Sequence, residues 1–197
     1  MPDNSANLPE VSNSGLATTQ PGSTAVATVD VRDDTRPVLL LCGGGQEARS
    51  VAILAQTCGF AVDVADARAE LADASQYPGA RRCLVVPGWT NLVQACTIGS
   101  RHHVVIATGD DADDYTVLRQ VLSSHAFYIG MQGDRVKKKR MFTALRNEGV
   151  PAAELACVRC PAGLPLGAQS PEQQAVATVA EVLAARAGTL QRLRKND

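Results

Sequence analysis

The stretch Arg36-Pro37-Val38-Leu39-Leu40-Leu41-Cys42-Gly43-Gly44-Gly45-Gln46-Glu47-Ala48 is an apolar run that breaks on three glycines and then turns amphipathic. Its first half reads as a buried strand and its glycines as a tight turn that opens a helix. Gly43, Gly45 and Ala48 fill the small positions of the pattern G-x-G-x-x-G/A. That pattern supplies a tight turn, close backbone approach to a phosphate, and close packing of helix on strand. The unpaired N–H groups of such a helix start, with the positive end of its dipole, favour an anion. A plain strand-to-helix turn needs the same glycines, so the residues that follow decide the reading.

A helical segment runs from Ser50 to Cys58, and after Gly59 the run Phe60-Ala61-Val62-Asp63-Val64-Ala65-Asp66 reads as a second strand ending in an acid. Asp66 stands at about the twenty-residue offset at which an acidic side chain accepts hydrogen bonds from ribose hydroxyls. An N-cap or turn role is the plainer alternative for it. Further strands are expected at Arg82 to Val86, His102 to Thr108 and Ala126 to Met131. Helical character falls between them at Trp89 to Ile98 and after Asp110. Gln132-Gly133-Asp134-Arg135-Val136-Lys137 is a second glycine-bearing strand-to-helix turn, and it opens a basic helix that stops before Pro151. Ser170-Pro171-Glu172-Gln173 is a capping box that starts the last helix. Alternating strands and helices predict an α/β protein, a Rossmann-like three-layer fold with a mostly parallel sheet. Ligands of such sheets sit beyond the carboxyl ends of the strands. The glycine turn, Asp66, the 108–114 loop and the 128–137 turn all fall there.

The sequence has 197 residues, is 45% hydrophobic and carries a formal net charge of -1. That is enough chain for one packed domain, and the charge gives no electrostatic case for nucleic acid or an anionic membrane. No apolar run reaches the roughly twenty residues of a membrane span, and no secretory signal is evident at the start. Six cysteines scattered through such a chain read as reduced thiols, so a cytoplasmic protein is expected. Residues 1–35, rich in Ser, Thr, Asn, Ala, Gly and Pro, are expected to be a disordered or loosely attached tail, with a possible short strand at Val26 to Val31. Residues 36–188 are expected to form the domain and 189–197 a frayed end.

Three later segments carry a resemblance. Tyr128-Ile129-Gly130-x-x-Gly133-x-Arg135-x-Lys137, Pro161-Ala162-Gly163-Leu164-Pro165-Leu166-Gly167-Ala168 and Ser170-Pro171-Glu172-Gln173-Gln174-Ala175-Val176 together resemble the Rossmann domain of XdhC/CoxI proteins. These are maturation factors for xanthine dehydrogenase and related molybdenum hydroxylases. The glycine turn and Val64-Ala65-Asp66-Ala67-Arg68 match the same family in the same order, so the resemblance spans roughly Pro37 to Arg186. It implies a cofactor-binding chaperone rather than a catalyst. Such a protein holds the molybdenum cofactor (molybdopterin) while sulfur is inserted with a cysteine desulfurase, then passes it to an apo-hydroxylase. It further implies a homodimer. It places cofactor contacts at Gly43, Gly44, Gly45 and Gln46, at Asp66 and Arg68, at Thr108 and Asp114, and at Gly130, Gly133, Arg135 and Lys137. Thr108-Gly109 stands where the family commonly has threonine and histidine, and Gly133-Asp134 where it has glycine and serine. A carboxylate at position 134 caps the helix but repels a phosphate. Longer members carry a separate N-terminal domain that is not evident here, so a divergent or partial version of their function is expected.

Other candidates read more plainly. Cys157-Val158-Arg159-Cys160 is half of a tetrahedral zinc site and has no partner pair at matching spacing. His102, His103 and His125 form no ligand cluster and are taken as structural, no metal site is expected, and no catalytic set is discernible. The basic run to Arg140 reads as an exposed face apart from Arg135 and Lys137. The competing function is a nicotinamide-dependent oxidoreductase binding NAD(P), or a nucleotide-sensing module, resting on Gly43, Gly45, Ala48 and Asp66.

Overall fold

Val38–Cys42 forms strand β1 of the computed structural model, which describes residues 35–190, and all five of its side chains are buried. Alternate residues feed opposite faces. Leu40 and Cys42 join one apolar cluster while Leu39 and Leu41 join the other, as a strand covered on both sides requires. The expectations for the tail and for Val26 to Val31 lie outside the described residues.

Six parallel strands make the sheet: β1, β2 (Ala61–Asp66), β3 (Arg82–Val85), β4 (His102–Ile106), β5 (Tyr128–Met131) and β6 (Val158–Arg159). Their order is β3-β2-β1-β4-β5-β6. The order reverses beside β1, and the sheet is wholly rather than mostly parallel. Helices α1 (Gln46–Thr57) and α6 (Pro171–Arg186) pack on each other and cover one face. The other face is covered by α2 (Leu92–Cys96), α3 (Asp111–Leu122), α4 (Arg135–Asn147) and α5 (Ala152–Cys157).

Several boundaries differ from those expected. Helix α1 begins at Gln46 rather than Ser50, because Arg49 N–H already bonds the Gly45 carbonyl. Strand β6 and helix α5 are additions, since two and six residues are too short to carry a periodic signal. At the start of α6 the Ser170 hydroxyl accepts from Gln173 N–H as expected, but Gln173 Oε1 accepts from Gln169 N–H and not from Ser170. Thr189 N–H bonds the Ala184 carbonyl and Leu190 is buried, so the ordered body runs two residues into the stretch expected to fray. Residues 191–197 lie outside the described ones.

Two polar groups inside the sheet matter to its stability. Asp63 in β2 is fully buried and accepts from Arg81 Nε at 2.7 Å and Arg82 Nε at 3.0 Å. Removing a buried charge from such a cluster strands its partners. Asp63→Ala is therefore expected to cost about 3–5 kcal/mol in urea unfolding, and a loss below 1 kcal/mol would contradict this. His103 in β4 packs its ring against Phe60 and Phe127, with centroids 5.3 and 5.0 Å away. Burial, the largest influence on each, holds the pKa values of His102 and His103 below the ordinary 6.5. As pH falls through about 6.5 the unfolded chain takes up protons that the folded chain refuses, so stability drops. The urea midpoint should be lower at about pH 5.5 than at about pH 7.5, and less so in His103→Phe. An unchanged difference in that variant would clear His103 of any part in it.

Candidate functional site

The glycine turn after β1, Asp66 at the end of β2, Thr108 after β4 and the 132–134 turn after β5 meet at the carboxyl edge of the sheet. Between β1 and β4, where sheets of this order keep a crevice, backbone closes on backbone. Gly43 has φ +118°, and a Cβ on it would lie 2.0 Å from the carbonyl oxygen of Ala107. A Cβ on Gly44 would lie 2.0 Å from the carbonyl oxygen of Leu71, in the loop after β2. Around Gly45 a Cβ would meet nothing within 4 Å. The first two glycines are thus required by packing, and the third faces open space beside the exposed Gln46.

Buried Asp66 accepts from Gly44 N–H at 2.8 Å, and from the main-chain N–H and Nε of Arg68 at 2.9 and 3.0 Å. Burial acts to raise its pKa, but the hydrogen bonds of Arg68 and Gly44 outweigh burial and hold the carboxyl below its ordinary range. Arg68 Nη2 also donates to the Thr108 carbonyl at 3.1 Å. Thr108 in turn donates its N–H and hydroxyl to Asp114 Oδ1, at 3.0 and 2.7 Å. Lys137 Nζ pairs with the other oxygen of Asp114, and with Asp111 at 3.1 Å. Burial disfavours the Lys137 charge, yet these two carboxylates more than offset it and raise its pKa.

Six expected site residues, Gly44, Asp66, Arg68, Thr108, Asp114 and Lys137, therefore do assemble, but largely on one another. Both oxygens of Asp66 accept hydrogen bonds from Gly44 and Arg68. Asp134 accepts from Lys137 N–H at 2.7 Å, so it fills the anion position of α4 from within. Glu47, in the first turn of α1, accepts from Gln132 Nε2 at 2.6 Å. Burial pushes its carboxyl pKa up, with the Gln132 bond opposing.

Open space lies further along the edge. A cleft of about 670 Å³ runs between the start of α4 and the 160–168 segment, within the range of small-molecule sites. Arg135 and Lys138 supply its charge, Pro161, Leu164 and Leu166 its apolar wall, and Gln174 its far side. The segment is pinned to α6. Gln174 Nε2 donates to the Ala162 carbonyl at 3.0 Å, Gly163 N–H to the fully buried Glu181 at 2.6 Å, and Leu164 N–H to the Ala177 carbonyl at 3.1 Å. Cys160 also lines the cleft and donates its thiol to the Gly133 carbonyl at 3.7 Å. Burial pushes that thiol up in pKa, against the pull of Lys138 and Lys137, so it stays protonated near neutral pH.

Among the expected site residues, Arg135 alone lines this cleft. A Cβ at Gly130 would lie 2.6 Å from the Tyr128 hydroxyl, and Gly133 has φ +149°, where a Cβ would press on the flexible Lys137 side chain. Lys138, Cys160, Gln174 and the 161–168 wall were not expected at the site, although the wall is the very run that carries the family resemblance. Cys157 is exposed while Cys160 is buried. Among the described residues no cluster of three or more His, Cys, Asp or Glu is placed to hold a metal ion, and no helix is long and apolar enough to cross a membrane.

Comparisons with known proteins converge. The family described as the XdhC Rossmann domain matches residues 39–182. "Uncharacterized protein YqeB" of Escherichia coli (strain K12) is 29% identical over 148 residues, which are 75% of this chain and 27% of that protein. A probable xanthine dehydrogenase subunit of Bacillus subtilis (strain 168) is 30% identical over 155 residues, 79% of this chain and 44% of that protein. A crystal structure described as a xanthine dehydrogenase from Bacillus halodurans aligns with TM-score 0.68 at 24% identity, covering 78% of this chain and 43% of that one, a likeness of fold. The chain spans less than half the length of each.

The glycine geometry gives a direct test. Gly43→Ala is expected to cost about 3 kcal/mol or more, from a strained φ and a backbone clash together. Gly45→Ala should cost no more than about 1 kcal/mol, as for an ordinary N-cap change. Equal losses in thermal unfolding would show that the two positions are not distinguished by packing.

Proposed function

Since the chain belongs to the XdhC Rossmann-domain family, we propose that it is an accessory protein of molybdenum hydroxylase maturation that holds the molybdenum cofactor in the cleft between α4 and the 160–168 segment. The observation that carries this reading is the composition of that cleft. The family run Pro161 to Ala168 forms one wall, and Arg135 and Lys138, two cations with no ion pair among the described residues, form the mouth.

The residues fit such a group there. A phosphate suits the guanidinium of Arg135, with its fork of donors, and the ammonium of Lys138. A flat ring suits the faces of Pro161, Leu164 and Leu166. The fit is poorer at the glycine turn, where Asp66 already accepts from Gly44 N–H and Leu71 packs over Gly44. When bound, the cofactor supplies the dithiolene and metal that a hydroxylase needs. This chain's residues would hold its phosphate, shield its ring and keep the Cys160 thiol protonated beside it. A homodimer, an apo-hydroxylase as recipient and a cysteine desulfurase as sulfur source belong to the same reading. The engagement of Asp66 weighs against the NAD(P) alternative.

Anaerobic calorimetry and thermal shift with molybdopterin, and in parallel with NAD(H) and NADP(H), test the proposal. A ligand at a hundred times its Kd stabilises by about 2.7 kcal/mol. Molybdopterin is expected to do so, and Arg135→Ala to weaken it by about tenfold, the loss of one charged hydrogen-bond donor. Lys137→Met should lower stability with little change in affinity, because that charge is spent on Asp114. Stabilisation by a dinucleotide alone would replace this reading with the oxidoreductase or sensor one.

A further inference from the structure

Helix α4 carries its cations on two faces that differ in their partners. On one, Lys137 and Arg140 are paired with Asp111 and Asp114 of α3. On the other stand Arg135, Lys138, Lys139 and Arg146, spaced for a single helical face. None of these four has an ion pair among the described residues. Lys138 Nζ sits over the Phe142 ring, 5.3 Å from its centroid, and Arg146 Nε reaches only the Phe142 carbonyl of its own helix.

These four cations rim a groove of about 410 Å³ between α4 and α5, and among the described residues no carboxylate lines it. Its floor is apolar, made by Phe142, Leu155 and Val158, of which Leu155 and Val158 are buried. The groove adjoins the cofactor cleft, and Arg135 and Lys138 line both.

We propose that this groove docks an acidic segment of a partner polypeptide, which inserts an apolar side chain onto Phe142 and Leu155 while its carboxylates pair with the rim. Charge complementarity selects that occupant, because a chain of net charge -1 concentrates four unpaired cations around one recess. The recess excludes the other anionic surfaces. A membrane is engaged by apolar side chains that protrude, whereas these lie below the cations. Nucleic acid without sequence preference is held by exposed aromatic stacking platforms, and the single aromatic ring here is half-buried beneath Lys138. An acidic segment with an apolar anchor matches both the floor and the rim: the anchor buried on Phe142 and Leu155 supplies most of the energy, and the rim charges steer and select the partner.

A fluorescein-labelled synthetic peptide rich in Glu with interspersed Leu and Phe provides the probe, read by anisotropy on the whole chain. Binding is expected to fall at least about tenfold in Lys139→Glu/Arg146→Glu, a reversal of rim charge. Neither residue lines the cofactor cleft, so molybdopterin binding by this variant should be unchanged, and circular dichroism melting should confirm its fold. Replacing Glu by Gln, or Leu and Phe by Ser, in the peptide should each weaken binding as well. The proposal is overturned if the Gln peptide binds as tightly, or if the double variant binds the acidic peptide like the parent. It is equally overturned if phosphatidylserine vesicles or a single-stranded oligonucleotide bind in a rim-dependent way while the peptide does not. Failure of molybdopterin to bind would remove the function proposed above and leave this docking result standing.

Discussion

The hydrogen bond from Gly44 N–H to the buried carboxylate of Asp66 fixes the carboxyl edge of this sheet. It ties the turn after β1 to the end of β2, and Arg68 carries the link on to Thr108 after β4. A buried carboxylate without donors would be costly. Here donors converge on it from both sides, so ionised Asp66 serves as the fastening of the edge. Asp114 repeats the device one strand over, between Thr108 and Lys137.

This economy decides where an external anion finds donors. Two backbone N–H groups that a phosphate would seek, at Gly44 and at Lys137, are met by the chain's own carboxylates. Among the described residues, the cations of α4 without a carboxylate partner lie on its outer side, beside the 160–168 segment and α5. Electrostatics and free volume thus point to the same place, and that place is displaced from the reversal point of strand order.

Much of the fold was legible because apolar runs and caps are local signals. β1 is an unbroken apolar stretch, β2 and β4 are short apolar runs broken only by Asp63 and Asp66 and by His102 and His103, and Ser170-Pro171 announced α6. β6 and α5 were not legible, since two and six residues hold no period and owe their form to neighbours. The site divided the same way. Gly44, Asp66, Arg68, Thr108, Asp114 and Lys137 were identified singly, but the bonds Gly44–Asp66, Arg68–Thr108 and Lys137–Asp114 span 22, 40 and 23 residues of sequence and are settled only by packing. The clamp of Arg81 and Arg82 on Asp63 was missed for that reason. Within a strand Asp63 reads as a surface residue, until the fold lays two arginines across it.

The three glycines after β1 look alike in sequence, and the space around each separates them into two kinds. Any descendant of this fold must keep residues without side chains at 43 and 44, whatever it binds or has ceased to bind, because the carbonyls of Ala107 and Leu71 leave no room. Persistence of those two glycines among relatives is therefore a record of architecture. Position 45 is under no such compulsion, so the residue that lineages retain or lose there is the one that reports whether a ligand still visits the turn.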